Sequence, residues 1–281
     1  SYSIYSFAQN REGIDKRIKT LNNFVSSLEE DIPRKLYISG YRIIFLFERK
    51  IIDDVDYIDD LDGKFTDAFF NGEIDETDYH EGPGEFGTLL QGAIFDDIVD
   101  KINEKAKSLN VEVEFEEPSI TITQDDPWNV KVILNSKLII KDKGGLVRWE
   151  RTTPLYTYIP IDNFEDPIYI LNTVNSVNKF EKTKYSLPIS ADYLLLHAEN
   201  SYYVSSPNAP SFLQRLQGDL NPDPDNGIES LVNVHELSSQ GTQSKDKCII
   251  DYIYFSANDP EVTYTDGWIK LCGDYLGRYI S

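Results

Sequence analysis

Methionine is absent from all 281 residues, and cysteine occurs only twice, at Cys248 and Cys272. Two such distant cysteines form neither a disulfide framework nor a zinc module; they leave a single C-terminal bridge or a pair of buried thiols. Histidine is nearly as scarce, with three. His80, His197 and His235 lack the spacing of a zinc motif such as H-E-x-x-H. No stretch of about 18 apolar residues occurs, which excludes a transmembrane helix within this sequence, and no signal peptide is visible. There is no N-x-[ST] sequon, no G-x-S-x-G elbow and no G-x-x-x-x-G-K-[ST] loop. Positive charge is also in deficit. Lys and Arg number 27 against 48 Asp and Glu, a formal net charge of -21. Such a surface repels phosphate backbones and anionic lipid, so nucleic-acid binding and peripheral membrane docking are disfavoured. It suits a solvated surface, a cation-rich setting or a basic partner.

What is present begins with a helix over residues 2–32. Ile14, Ile18, Leu21, Val25, Leu28 and Ile32 alternate at spacings of four and three, an a/d seam that Ile4 and Phe7 extend upstream past Arg11. Because Arg11 weakens a dimeric zipper and apolar modules follow in the same chain, the seam from Ile14 to Ile32 is expected to be covered by the chain itself. Asp31 and Pro33 read as the start of a second helix to about Ile52, apolar on more than one face and so expected to be buried on two sides, with Gly40 allowing close approach. Residues 53–86 read as a long acidic loop holding a short helix at 65–70. A third helix follows at 88–109, ended by Asn110. Alternating stretches at 111–115, 119–123, 128–134, 137–141 and 146–160 predict antiparallel strands, with turns at Asn135-Ser136 and at Lys143-Gly144-Gly145. The fold class is therefore α+β: a long N-terminal helix and further helices packed on an antiparallel sheet, followed by a second mixed, β-rich module. The division is 1–171 for the helical rod and α+β module, 172–185 for a polar linker and 186–281 for the C-terminal module. In that module strands are expected at 193–197, 249–255, 261–264 and 268–271, and a helix at 211–216.

The sharpest local pattern is Asp219, Asn221, Asp223 and Asp225, followed by Gly227 and Glu229. Oxygen donors at alternate positions suit Ca²⁺, which takes six to eight hard oxygens. An EF-hand would place Gly where Pro224 stands and Glu where Ser230 stands, so a solvated acidic turn stiffened by Pro222 and Pro224 is the stronger of the two readings. The aspartate run at 53–62 reads as a solvated face. The glycines Gly82, Gly84 and Gly87 have acidic neighbours, which argue against a phosphate loop. Carboxylate pairs such as Glu114 with Glu116, or Asp162 with Asp166, arise by chance among 48 acids. Tyr202, Tyr203, Tyr252 and Tyr254 read as packing residues more readily than as a recognition surface.

Several segments carry a resemblance. Asp31-Ile32-Pro33-Arg34 with Ile38-Ser39-Gly40-Tyr41-Arg42, Thr123-Gln124-Asp125-Asp126-Pro127-Trp128, Phe164-Glu165-Asp166-Pro167-Ile168-Tyr169, Pro210-Ser211-Phe212-Leu213-Gln214-Arg215-Leu216 and Gly227-Ile228-Glu229-Ser230-Leu231-Val232 resemble segments of a group of archaeal surface proteins. That group is similar to type IV pilins, with a class III signal before a long N-terminal helix. The resemblance implies an anchoring segment upstream of Ser1 and a location on the extracellular face of the membrane. It implies protein partners or self-assembly there, with membrane contact only through an anchor that this chain lacks. It brings no catalytic residue and no cofactor. The expectation is a non-enzymatic domain for surface assembly or adhesion; the alternatives are a carbohydrate- or calcium-binding module and, behind it, a surface hydrolase.

Overall fold

The computed structural model describes residues 2–174, 177–242, 247–256, 262–265 and 269–281, without the side chains of residues 2–10 and a few others. The chain forms two compact units. Unit 1 comprises residues 1–43, 62–122 and 131–159; unit 2 comprises 44–61, 123–130 and 160–281.

Helix α1 is a single element, Tyr2–Asp54, with Pro33 inside it. At 1.5 Å per residue it is about 80 Å long. The expected break at Pro33 does not occur. Leu21, Phe24, Leu28, Ile32, Leu36, Ser39 and Ile43 are all buried, and their spacings of three and four pass through Pro33 without a change of phase. Burying that stripe outweighs the missing N–H and the ring clash of one proline. Within unit 1 the cover over the seam begins at Leu21, since Ile14 is exposed and Ile18 half-buried. The side chains of Ile4 and Phe7 lie outside the described residues. The expectation of burial on two sides fails at Tyr37, Ile38 and Tyr41, which are 39%, 46% and 43% exposed.

Helix α2, Leu61–Asn71, is longer than the sequence suggests, and the acidic stretch also holds a two-residue hairpin of β1, Glu73–Ile74, and β2, Thr77–Asp78. Helix α3, Phe95–Ser108, is shorter than expected at its start: Gly92 sits at φ +76, which a continuous helix cannot contain, and residues 88–93 are turns. Asn110, at φ +53, ends it as the sequence implies. Strands β3, Val111–Asp126, and β4, Asn129–Asp142, are long and unbroken. Asn135-Ser136 is not a turn but lies within β4, where the Ser136 hydroxyl donates to the Glu116 carbonyl. The buried set Val130, Val132, Leu134, Leu138 and Ile140 keeps one parity across it. Gly145, at φ +75, closes the expected turn into β5, Arg148–Arg151, which pairs antiparallel with β4 from Leu138↔Arg151 to Lys141↔Arg148. Strand β6, Leu155–Pro160, pairs with β4 as well, off the β3-β4-β5 path of the same sheet. In unit 1, α1 lies on this sheet: a Cβ built at Gly40 would stand 2.6 Å from Ile159 and 2.9 Å from Val132. Arg17 fixes the same face, donating to Asp142 at 2.6 Å and to the Leu109 carbonyl.

Unit 2 is a set of short elements. Asp166 caps α4, Pro167–Asn172, by accepting from the Ile168 N–H at 2.9 Å. Within the stretch read as a linker, Phe180 is buried, its ring 4.7 Å from that of Tyr203 and 5.3 Å from that of Phe212. Helix α5, Ala191–Glu199, replaces an expected strand. Strand β7, Tyr203–Ser205, precedes α6, Phe212–Leu216, whose Ser211–Gln214 capping box matches the expected helix. Strand β8, Ile228–Ser230, pairs with β7. Helix α7, Val234–Ser239, forms where Val234 and His235 read as part of a strand, and α8, Asp251–Phe255, forms within the strand expected at 249–255. The hairpin of β9, Val262–Thr265, and β10, Ile269–Cys272, is where the sequence places it, with Glu261 and Trp268 outside the described residues. A 3-10 turn leads into α9, Leu276–Tyr279. Cys248 and Cys272 form a disulfide with Cα atoms 5.6 Å apart, which decides between a bridge and two thiols. It is buried in a core with Ile189, Leu194, Leu231, Ile250 and Tyr279.

Candidate functional site

The aspartate pattern of the sequence forms the turn after α6. Asp219 Oδ1 accepts from the Asn221 N–H at 2.9 Å and from Asn221 Nδ2 at 2.7 Å. Asp223 Oδ1 accepts from the backbone of Asp225 at 3.0 Å and of Asn226 at 2.9 Å. Partial burial pushes the Asp223 carboxyl up, but the hydrogen bonds from Asn226 and Asp225 outweigh it and hold the group below its usual range. Asn221 and Asp225 are exposed. Gly227 is required by close approach, because a Cβ there would stand 2.1 Å from the Ser206 carbonyl and 2.2 Å from that of Ala209. The side chains of Asp219 and Asp223 thus serve as turn acceptors. Among the described residues, no group of three or more His, Cys, Asp or Glu side chains could hold a metal ion.

The other candidates are equally local. Glu114 pairs with Lys141 and Glu116 with Lys137, each at 3.0 Å. Gly82 accepts no phosphate-like geometry: its N–H donates to the Gly87 carbonyl at 2.9 Å in a closed turn. In unit 1 His80 Nε2 lies 3.0 Å from Asp97. His197 is fully buried with neither ring nitrogen hydrogen-bonded, flanked by the rings of Tyr202 and Tyr279, each at 5.7 Å. Burial lowers its pKa to about 4, so it is a neutral packing residue at ordinary pH. His235 lies exposed on α7.

The densest polar constellation was not singled out from the sequence. Arg215 on α6 donates to Asp166 Oδ2 at 2.6 Å and to the Ile228 carbonyl at 2.6 Å, and its guanidinium lies 3.2 Å from Asp251 Oδ2. Tyr203 donates to Asp166 at 2.6 Å, Ser230 to Asp251 at 3.1 Å, and the Tyr169 and Ser230 hydroxyls are 3.0 Å apart. Burial pushes the Asp166 carboxyl up, and the charge of Arg215 only partly offsets it. For Arg215 the balance reverses: burial opposes its charge, but Asp166 and Asp251 together raise its pKa. Arg215, Asp166 and Asp251 all have 0% exposure, so a substrate from solvent has no face to approach. The cluster is a clasp joining α4, α6, β8 and α8. Its one sequence signal was Arg215 between Leu213 and Leu216 on the apolar side of a short helix. Nearby, Glu229 is fully buried beside Arg278 Nε at 3.1 Å; burial raises its pKa to about 7 against the pull of Arg278.

Two cavities open in the same unit. The larger, about 470 Å³, lies between α5 and α7, with Leu194, Ala198, Val232 and Ile249 as its apolar walls and Glu199, Asn233, His235 and Ser238 as its polar ones. The smaller, about 140 Å³, is polar and includes Glu199, Asn200, Asn233 and Glu236. Neither cavity is legible from a strand pattern at 193–197, because it is the helical spacing of α5 that turns Leu194, Ala198 and Glu199 toward them.

No protein-family model, curated protein or solved structure matches this chain.

Proposed function

We propose that this chain is a non-enzymatic, extracytoplasmic domain of a membrane-anchored, pilin-like surface protein, and that it assembles through the outer face of α1. The observation that carries the reading is the stack of Tyr37 on Tyr41, with ring centroids 6.3 Å apart, beside Ile38. These three residues are exposed on the side of α1 opposite the buried stripe of Leu36, Ser39 and Ile43. A helix with a second, unburied apolar face is the element by which helical assemblies pack. The Cys248–Cys272 bridge supports an oxidising compartment. The densest charged cluster is sealed from solvent, which favours assembly over hydrolysis. The similarity to archaeal pilin-like proteins supplies the setting.

Surface labelling of intact native cells with a membrane-impermeant amine reagent tests the setting. The chain becomes labelled and carries a Cys248–Cys272 bridge. Recovery only from the cytosol, with both thiols free, contradicts the proposal.

A further inference from the structure

The two cavities of unit 2 adjoin, because Glu199 and Asn233 line both. They differ in chemistry. The larger is walled mainly by aliphatic side chains, and its volume of about 470 Å³ falls within the range of small-molecule sites. The smaller is lined by two acidic residues, Glu199 and Glu236, together with Asn178, Asn200 and Asn233. Among the described residues, no Lys or Arg lines either one. Among the described residues, no Lys or Arg forms an ion pair with Glu199 or Glu236.

We propose that this two-part cavity binds an organic cation, an ammonium group carried on an apolar body. The apolar body leaves water for the larger chamber. The ammonium then donates to Glu199 and Glu236 at the polar end, while the Asn233 side-chain oxygen caps α7 by accepting from the Glu236 N–H at 3.1 Å. An anion with the same body meets two like charges and, among the described residues, no Lys or Arg, so the site discriminates by sign as well as by shape. The long-range field of a chain with net charge -21 steers in the same direction. This site uses none of the residues on which the assembly reading rests, so either can fail alone.

Titration calorimetry of the full chain with octylammonium, octanoate and octan-1-ol tests it. Octylammonium binds saturably at one site, at least about tenfold more tightly than octanoate. The double variant Glu199→Gln/Glu236→Gln loses that preference and keeps its affinity for octanol, because the apolar chamber is untouched. Ala198→Phe fills the chamber and removes binding of all three. Both glutamates are exposed, so the double variant decides the question even if Ala198→Phe fails to fold. The proposal is overturned by octanoate binding as tightly as octylammonium, by no saturation with octylammonium into the millimolar range, or by an unchanged preference in the double variant.

Discussion

Arg215 Nη1 lies 2.6 Å from Asp166 Oδ2, and neither side chain has any exposed surface. Asp251 completes the cluster. Arg215→Met leaves two buried carboxylates facing each other without a cation. Loss of one partner from a buried ion pair costs about 3–5 kcal/mol, and urea unfolding should show a loss of that size. A loss under about 1 kcal/mol would mean that the cluster relaxes or hydrates, and that it is no clasp.

Glu48 sets a pH dependence. Burial raises its carboxyl from the ordinary 4.5 to about 9, opposed by the hydrogen bond from the Glu165 N–H at 2.6 Å. The folded chain therefore keeps a proton that the unfolded chain releases between those values. The stability this contributes is complete below pH 4.5 and is lost as pH rises through about 9. Glu48→Gln keeps an acceptor for Glu165 and removes the titration. Across pH 5–8 the wild type should lose stability relative to the variant by on the order of 1.4 kcal/mol per pH unit. Parallel curves for the two proteins would show that Glu48 ionises freely.

The bridge between Cys248 and Cys272 spans 24 residues of sequence. Closing a loop of that size in the unfolded chain is worth about 3 kcal/mol. Cys248→Ser/Cys272→Ser should fall in stability by roughly that amount, and a reducing agent should lower the melting temperature of the wild type but not of the variant. Identical melting with and without reductant would remove the bridge as a stabilising element, and with it one support for an oxidising setting.

Much of this fold could be read from residue patterns, and the failures have identifiable causes. The α1 seam was legible because Leu21, Leu28 and Ile32 keep helical phase. Pro33 was misleading because a single-residue signal was weighed above a phase that continues through Leu36 and Ile43. Asn135-Ser136 misled in the same way, against the period-two set from Val130 to Ile140. The segments 193–197 and 249–255 are rich in Leu, Ile and Tyr, which fit strands and buried helices alike. In the second, Asp251 reaches Arg215 from the first turn of a helix, and that pairing spans 36 residues, beyond any local pattern. The start signal of α5 was present in Ser190 and Asp192. The ligand pattern at Asp219 to Asp225 was visible, but its hydrogen bonds to Asn221 and Asn226 were not.

Pro33→Ala tests the reading of α1 as one helix. Alanine restores the N–H that can donate to the Glu29 carbonyl and removes the ring. A proline inside a helix costs about 3 kcal/mol relative to alanine, part of which the loss of chain stiffness offsets. Net stabilisation of about 1 kcal/mol or more is expected. Destabilisation would indicate that the proline shapes α1 for its packing in unit 1.

The central claim is assembly through the outer face of α1, and sedimentation velocity over a wide concentration range tests it most directly. The wild type should show a weight-average mass that rises above 32.2 kDa with concentration. Tyr37→Ser/Ile38→Ser/Tyr41→Ser should remain at the monomer mass with its circular dichroism unchanged. A wild type that stays at 32.2 kDa throughout, or a triple variant that associates equally well, would contradict the account.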